Sequence, residues 1–400
     1  MMKMNGGVTA PKGFMAWGDA CGVKKNGNKD IAIVCSENVA HAVGVFTTNT
    51  VKGHSLQLTM QHIQKHAAKA VIINSGNANA CVGEQGMQDA LEVISLTAEK
   101  LGCIPEEIIF NSTGVIGVPL NMEALRKGIA SCASSLSQNG SNEAAQAIMT
   151  TDTFPKQTAM QFEISGKQVT IGGIAKGSGM IHPNMATMIG ILTTDANISV
   201  PLLDKAFKEV MGCSFNRISV DGDTSVCDMV VMLANGSADN DIIDTENEDY
   251  EKFKQALTAV CTPLAKQIAQ DGEGATKLLE VVCKNAIDAQ TAYKIVTAVA
   301  KSPLVKTAMF GEDANWGRII TAAGYAGASF DPTKVDIYIG DLMVCTQGCG
   351  ITFDEAKAKD ILKEKEIQIT IDLNAGTYKD QIWTCDFSYD YVKINGSYRS

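Results

Sequence analysis

Apolar runs and helical repeats alternate along the first third of the chain. Residues 31–35, 42–47 and 70–73 are β-branched or apolar runs bounded by Gly, Asn and Ser, which predicts strands. From 87 to 101, apolar residues recur at helical spacing before Gly102, which predicts a helix ending there. Asn121 is a favourable N-cap, so we expect a second helix over residues 122–136.

The same alternation continues to the end of the chain. Predicted strands cover residues 158–164, 168–174, 229–233, 278–282, 335–339 and 367–371. Predicted helices cover about 199–210, where Pro201 suits a first turn, and 249–270, 289–300 and 354–364. Such a mixture indicates packed α and β layers, the α/β class. No strong linker or short-period repeat interrupts the chain, so we do not expect tethered independent domains.

Charge and composition narrow the class of partner. The 400 residues are 45% hydrophobic, enough for a large core, but length alone does not choose a fold. A formal net charge of -10 without a basic block disfavours nucleic acid, so the expected partner is a small molecule. The N-terminus lacks the apolar run of a signal peptide, and no stretch has the length of a membrane span. We therefore expect a cytoplasmic protein without a membrane partner.

Cysteine and histidine spacing does not predict a metal site. The 12 cysteines are scattered without a CxxC pair, so most should be reduced and buried. Cys345 and Cys349 are the closest pair, and no second pair follows at a zinc spacing. His62 and His66 could share a helix face, but no third ligand is near in sequence. A phosphate-binding loop pattern is also absent from the sequence.

A glycine-rich turn that leads into an apolar strand is the strongest candidate for chemistry. Gly177 and Gly179, followed by Pro183, permit close backbone approach next to the hydroxyl of Thr187. This arrangement suits a nucleophile. The same arrangement also suits a purely structural Thr187, a β-branched residue in a strand.

Resemblance to a known family favours the nucleophile. The segment Lys176-Gly-Ser-Gly-Met-Ile-His-Pro-Asn-Met-Ala-Thr187-Met resembles the signature of the ornithine acetyltransferase (bifunctional glutamate N-acetyltransferase) family, which has N-terminal-nucleophile character. Further segments are similar to the family in the same order: residues 6–14, 74–80, 111–117, 150–153, 214–224, 311–318 and 391–400. The chain departs from the family pattern at Cys227-Asp228 and at Gly396.

The resemblance implies autoproteolysis between Ala186 and Thr187. It would produce an N-terminal fragment, 1–186, and a C-terminal fragment, 187–400, that begins with the nucleophile. The pKa of a free α-amino group is about 8, so near neutral pH this group can accept the proton of the Thr187 hydroxyl. The hydroxyl would then take an acetyl group from N-acetylornithine and pass it to glutamate in a ping-pong reaction.

The resemblance also implies the remaining site residues. Thr113 and Gly114 would stabilise the oxyanion of the acyl-transfer transition state. Substrate contacts would come from Thr150, Lys176, Thr187, Glu273, Asn395 and Ser400. An ammonium such as Lys176 suits a substrate carboxylate, and an anion such as Glu273 suits a substrate amine. Contacts from Asn395 and Ser400 require an ordered C-terminal tail.

The implied fold is a layered α/β/β/α sandwich similar to ornithine acetyltransferases and related aminopeptidases. The implied assembly contains two N-terminal and two C-terminal fragments and needs no cofactor. Two donor sets are compatible with this chemistry, N-acetylornithine alone or acetyl-CoA as well. An amidohydrolase or aminopeptidase with the same nucleophile, and a structural protein that remains intact, are the alternatives.

Overall fold

The chain divides into two units, each with its own β-sheet. In the computed structural model, residues 1–182 and 188–397 are described, and this part of the chain contains fifteen strands, eleven α-helices and four short 3-10 helices. The first unit comprises Met1–Asn216 and Asp223–Ile268, and among the described residues the second comprises Arg217–Gly222 and 269–397. Both units combine a mixed sheet with helices, which confirms the predicted α/β class.

The first unit contains a nine-stranded sheet. Its strands are β1 Met2–Met4, β2 Phe14–Asp19, β3 Ile31–Phe46, β4 Ala67–Asn77, β5 Ile108–Val115, β6 Lys156–Ile164, β7 Lys167–Lys176, β8 Ile189–Thr194 and β9 Met229–Ala234. They follow the order β1-β6-β7-β8-β9-β3-β4-β5, with β2 also paired to β3. The helices are α1 His54–His62, α2 Gly83–Leu101, α3 Met122–Ser134, α4 Ser141–Ala147, α5 Val200–Cys213 and α6 Glu248–Gln270, which belongs to this unit up to Ile268.

Helices cover both faces of the central strands. Alternate residues of β3 point in opposite directions, so Ile31 and Ile33 pack with α2 and α3 while Ala32 and Val34 pack with α4. A strand that is buried on both faces has an unbroken apolar sequence. This packing explains the apolar run that predicted the strand.

Local signals at helix ends are confirmed. The Asn121 side chain accepts a hydrogen bond from the Ala124 amide at the start of α3. Gly102 adopts the left-handed conformation at the end of α2. Both ends are set by short-range hydrogen bonding, so the sequence predicts them well.

The second unit contains a six-stranded sheet. Its strands are β10 Leu278–Ala286, β11 Asp336–Ile339, β12 Leu342–Thr346, β13 Cys349–Gly350, β14 Glu366–Asp372 and β15 Tyr378–Cys385, in the order β13-β12-β11-β14-β10-β15. The helices are α7 Ala289–Lys301, α8 Pro303–Phe310, α9 Trp316–Gly324, α10 Glu355–Leu362 and α11 Tyr389–Ser397. Alternate residues of β10, Leu279, Val281 and Cys283, join the helices in one apolar core.

Two differences from the predicted elements have physical causes. Residues 31–35 and 42–47 were predicted as separate strands but form the single strand β3, whose pairing with β4 shifts register between Cys35 and Ala40. The polar residues at this irregularity resemble a loop in sequence. Helix α1 is not in the predicted set, because its apolar positions show only weak helical periodicity.

Candidate active site

The predicted oxyanion residues lie at the end of β5. This strand runs parallel to β4, with Thr113 opposite Ser75 and Gly114 opposite Gly76. Gly114 has φ +129°, and a Cβ atom there would lie 2.4 Å from the carbonyl carbon of Gly76. Only glycine fits this close approach. The close approach of the Gly76 backbone therefore fixes the main chain at this end of β5.

Buried polar side chains support this strand end. Asn111 Nδ2 donates to the Cys227 backbone oxygen at 2.6 Å, and Ser112 Oγ donates to Asn74 Oδ1 at 2.6 Å. All of these residues are buried. Cys227, where the sequence departs from the family pattern, contributes its main chain here, so this contact does not depend on its side chain. Buried groups with satisfied hydrogen bonds hold a backbone in one position.

Thr150 and Lys176 are brought into contact. Lys176 ends β7, and its Nζ atom donates to Thr150 Oγ1 at 2.8 Å. The two residues are 26 positions apart, and both are among the predicted substrate contacts. The Lys176 side chain is 7% exposed, so its ammonium group is largely removed from water. A shielded cation attracts a carboxylate more strongly than an exposed one.

Asp152 and Lys156 complete this cluster, although the sequence reasoning did not single them out. Asp152 Oδ1 accepts hydrogen bonds from Lys156 Nζ and the Gly177 amide, both at 2.7 Å. Burial would raise the pKa of Asp152, but the neighbouring Lys176 and Lys156 outweigh it and hold this pKa at about 2. The family-like segment 150–153 contains Asp152, but the sequence does not reveal the contacts of this carboxylate with Lys156 and Gly177.

A third lysine, Lys24, lies near both the Lys176 ammonium and Gly76. Lys24 Nζ donates to the backbone oxygens of Met149 and Lys29, each at 2.7 Å. The Lys24 side chain also lies beside Gly76, which pairs with Gly114. Burial lowers the pKa of Lys24 to about 8, and the positive charge of Lys176 acts in the same direction. The charges of Lys24 and Lys176 are therefore close enough to influence each other.

The second unit joins another pair of predicted substrate contacts. Asn395 Nδ2, on α11, donates to Glu273 Oε2 at 2.8 Å across 122 positions. Glu273 is 7% exposed, whereas Asn395 is exposed. Gly274 follows Glu273 in the loop between α6 and β10 and has φ +69°. A Cβ atom at Gly274 would lie 2.5 Å from the Tyr391 nitrogen, so α11 packs directly on this loop. The described tail is helical as far as Ser397, as an ordered tail requires.

Three predicted site residues fall outside the described residues. They are the cleavage residue Ala186, the nucleophile Thr187 and the substrate contact Ser400. The described chain reaches His182 on one side of the cleavage position and resumes at Met188 on the other. Their roles remain predictions from the family resemblance.

The two histidines considered for a metal bind the backbone. His62 Nδ1 donates to the Ile108 oxygen at 2.9 Å, and His66 Nδ1 donates to the Ala42 oxygen at 3.2 Å. Within residues 1–182 and 188–397, no group of three or more His, Cys, Asp or Glu side chains could hold a metal ion. None of the helices in these ranges is long and apolar enough to cross a membrane.

The α/β fold with its largely buried ammonium groups suits an enzyme that binds an anionic substrate. Residues 15–400 match the ArgJ family. Two relatives named arginine biosynthesis bifunctional protein ArgJ are similar to this chain, and each match covers 99% of both chains. The protein of Symbiobacterium thermophilum is 54% identical over 397 residues. The protein of Caldanaerobacter subterraneus subsp. tengcongensis is 50% identical over 401 residues. The chain belongs to the ArgJ family.

A solved structure is also similar. The crystal structure of arginine biosynthesis bifunctional protein ArgJ from Bacillus halodurans shares 44% identity with this chain, with a TM-score of 0.50. The match covers 97% of the solved chain but 52% of this chain. The solved chain is therefore about half as long as this one.

Proposed function

We propose that this enzyme transfers an acetyl group from N2-acetyl-L-ornithine to L-glutamate. The contact between Lys176 and Thr150 supports the proposal, because it joins two predicted substrate contacts and a largely buried ammonium group suits a substrate carboxylate. Donor and acceptor both have an α-carboxylate. Glu273 supplies the opposite charge, which suits an amine of ornithine or glutamate.

The reaction consists of two acetyl transfers, first to the Thr187 oxygen and then from it. The Thr187 hydroxyl gives its proton to the free α-amino group of the same residue, and its oxygen attacks the acetyl carbonyl of N-acetylornithine. The carbon–nitrogen bond breaks, the proton passes to the leaving amine, and ornithine departs from an acetyl ester on Thr187. The amine of glutamate then attacks this ester, and the threonine oxygen recovers its proton. The amides at Thr113 and Gly114 stabilise both oxyanions.

Cleavage between Ala186 and Thr187 precedes this chemistry in our proposal. The C-terminal fragment 187–400 would contain just over half of the chain. A solved relative whose chain is about half as long supports this division. The fragments 1–186 and 187–400 would remain associated, and the assembly would contain two of each. The enzyme would be cytoplasmic and would need no cofactor. Acetyl-CoA as a second donor would make the enzyme bifunctional.

Intact mass under denaturing conditions tests the proposal. The purified protein is measured alone and after exposure to N-acetylornithine without glutamate, with acetyl-CoA as a separate donor. We expect two fragments that meet at Ala186 and Thr187, and a gain of one acetyl mass on the C-terminal fragment. Adding glutamate should remove this mass and produce N-acetylglutamate.

Two variants separate the alternatives. Thr187→Ala should abolish cleavage and acetylation, whereas Thr187→Ser, which keeps a hydroxyl, should retain part of both. Cleavage of the chain together with hydrolysis of N-acetylornithine at a rate that does not depend on glutamate would indicate an amidohydrolase or aminopeptidase. An intact, unmodified wild-type chain would indicate a structural protein and refute the proposal.

A further inference from the structure

The segment that follows β15 holds the loop between α6 and β10. The Asp386 Oδ1 atom accepts two backbone amides of this loop, from Thr276 at 2.7 Å and from Lys277 at 2.9 Å. Its Oδ2 atom accepts the Thr276 hydroxyl at 2.5 Å. Two residues further on, Ser388 Oγ donates to the Gly274 oxygen, also at 2.5 Å. Four side-chain hydrogen bonds therefore fix the loop to one short stretch of chain.

Strand pairing sets the position of Asp386. Antiparallel pairing of β10 with β15 places Leu278 opposite Cys385, so Lys277 and Asp386 are the next residues beyond this pair. The Asp386 amide donates to the Lys277 oxygen at 3.3 Å, which extends the pairing by one hydrogen bond. The sheet therefore brings the Asp386 carboxylate to the loop before any ligand binds.

The surroundings of Asp386 are buried and hydrogen-bonded. Asp386 is 0% exposed, as is Lys306, whose Nζ atom donates to Thr384 Oγ1 at 2.7 Å and to the Cys385 backbone oxygen. Lys306 thus binds the main chain one residue before Asp386. A buried polar group that moves away from its partners loses their hydrogen bonds without gaining water. This end of β15 is therefore a firm support for the loop.

Two predicted substrate contacts lie on the stretches of chain that Asp386 joins. Glu273 precedes Gly274 in the loop, and Asn395 lies on α11, which begins one residue after Ser388. Asn395 Nδ2 donates to Glu273 Oε2 at 2.8 Å. The hydrogen bonds of Asp386 and Ser388 therefore set how the backbones of Glu273 and Asn395 lie relative to each other.

We propose that Asp386 is a positioning residue that holds the loop so that Glu273 and Asn395 together meet the side-chain ammonium of N-acetylornithine. The inference rests on the proposed function, because it concerns the donor of that reaction. An ammonium binds a carboxylate through charge-assisted hydrogen bonds, whose strength depends on distance and direction. Asp386 is fully buried, so it acts through the loop and does not touch the substrate.

The test compares two donors in the full-length enzyme. N-acetylnorvaline has the carbon chain of N-acetylornithine but no side-chain amine, so the ratio of kcat/KM for the two donors measures recognition of the ammonium. In Asp386→Ala the loop loses three hydrogen bonds, and the ratio should fall about tenfold, mainly because KM for N-acetylornithine rises. A general loss of structure would lower kcat/KM equally for both donors and leave the ratio unchanged.

Two further variants separate positioning from packing. In Asp386→Asn the amide oxygen can still accept both backbone amides, and its nitrogen can donate to the Thr276 hydroxyl, so the ratio should stay within about threefold of the wild-type value. Asp372→Ala is the matched control. Asp372 is also a buried carboxylate that accepts a backbone amide, but it lies beside the other end of β10. Its removal should leave the ratio at the wild-type value.

A double-mutant cycle checks that Asp386 acts through Glu273. In a Glu273→Gln background, Asp386→Ala should lower the ratio no further, because the ammonium has already lost its carboxylate. If Asp386→Ala does not fold, Thr276→Val takes its place in the cycle, since it removes only one hydroxyl from an exposed residue. Alone, Thr276→Val should lower the ratio about threefold. Equal falls in both backgrounds, or a wild-type ratio in Asp386→Ala, would overturn the inference.

Hydrogen exchange gives a readout that does not depend on activity. The Thr276 and Lys277 amides should exchange about tenfold faster in Asp386→Ala than in the wild type, and at the wild-type rate in Asp372→Ala. Unchanged exchange of both amides in folded Asp386→Ala would overturn the inference. Wild-type enzyme that transfers no acetyl group would instead refute the proposed function, and the exchange rates would still decide whether Asp386 holds the loop.

Discussion

The two units treat buried charge in different ways. In the first unit, Asp152 is fully buried between Lys156 and Lys176 and also binds backbone amides. In the second unit, Glu273 accepts a hydrogen bond from Asn395, a neutral amide on an exposed helix. The first arrangement is assembled from strands and already contains its counter-ions. The second holds a carboxylate next to a neutral partner.

The difference in charge pairing predicts a rigid cluster around Asp152 and a less firmly held carboxylate at Glu273. A network with satisfied buried ions resists displacement, because moving any member exposes an unpaired charge to a medium of low polarity. A carboxylate beside one amide is held less firmly. We therefore expect changes in the first unit to affect stability and catalysis strongly, and changes at the Glu273 pair to affect substrate affinity.

The largest expected effect comes from breaking the buried cluster. Asp152→Ala leaves two buried ammonium groups without their carboxylate, and should lower the free energy of unfolding by about 3–5 kcal/mol. Urea unfolding followed by circular dichroism measures the change. Asp195→Ala, which removes a buried carboxylate bound to backbone amides, should cost only about 1–3 kcal/mol. Equal losses in the two variants would contradict the special role of the ion pairs.

Next in size is a change at Gly114, a predicted oxyanion residue. In Gly114→Ala the new methyl group meets the Gly76 backbone at 2.4 Å, so this end of β5 must move, and kcat should fall about 10²–10³-fold. Steady-state transfer kinetics measure this loss. Gly117→Ala is the control, because Gly117 also has positive φ, at +77°, but has open space around the added atom. A similar fall in kcat for Gly117→Ala would point to backbone strain instead of displaced amides.

A smaller effect should appear as pH falls. The folded-state pKa of Asp152, about 2, lies below its ordinary value of 3.8, so its contribution is complete above about pH 4 and is lost towards pH 2. The loss amounts to about 2 kcal/mol. Urea midpoints measured between pH 2 and 6 should fall more steeply for the wild type than for Asp152→Asn. Parallel curves would show that Asp152 is not the group responsible.

The smallest expected effect lies in the second unit. Asn395→Ala removes the amide that orients Glu273 and should raise KM by about fivefold, equivalent to about 1 kcal/mol, with kcat nearly unchanged. Lys393→Ala, exposed on the same helix, is the control and should behave as the wild type. If Asn395→Ala lowered kcat as much as Gly114→Ala, the proposed contrast between the units would be wrong.

Short-range patterns determined much of the fold. Apolar runs located most of the central strands, and Asn121 and Gly102 marked helix ends correctly, because capping depends on a few neighbouring residues. Helices α1, α4, α8 and α9, strands β2, β5 and β15, and the continuity of β3 were not predicted. These elements depend on burial against other elements, which a local pattern does not contain.

For the site, the sequence by itself determined the family and, through the resemblance, most candidate residues, including Thr113, Gly114, Thr150 and Lys176. Only the tertiary structure brought Lys176 to Thr150 and placed Asp152 and Lys156 around it. Side-chain charge is visible in a sequence, but its effect depends on burial and distance. Pairing of β6 with β7 places Lys156 opposite Ala175, and the Lys176–Thr150 contact joins residues 26 positions apart, so neither burial nor distance follows from local sequence.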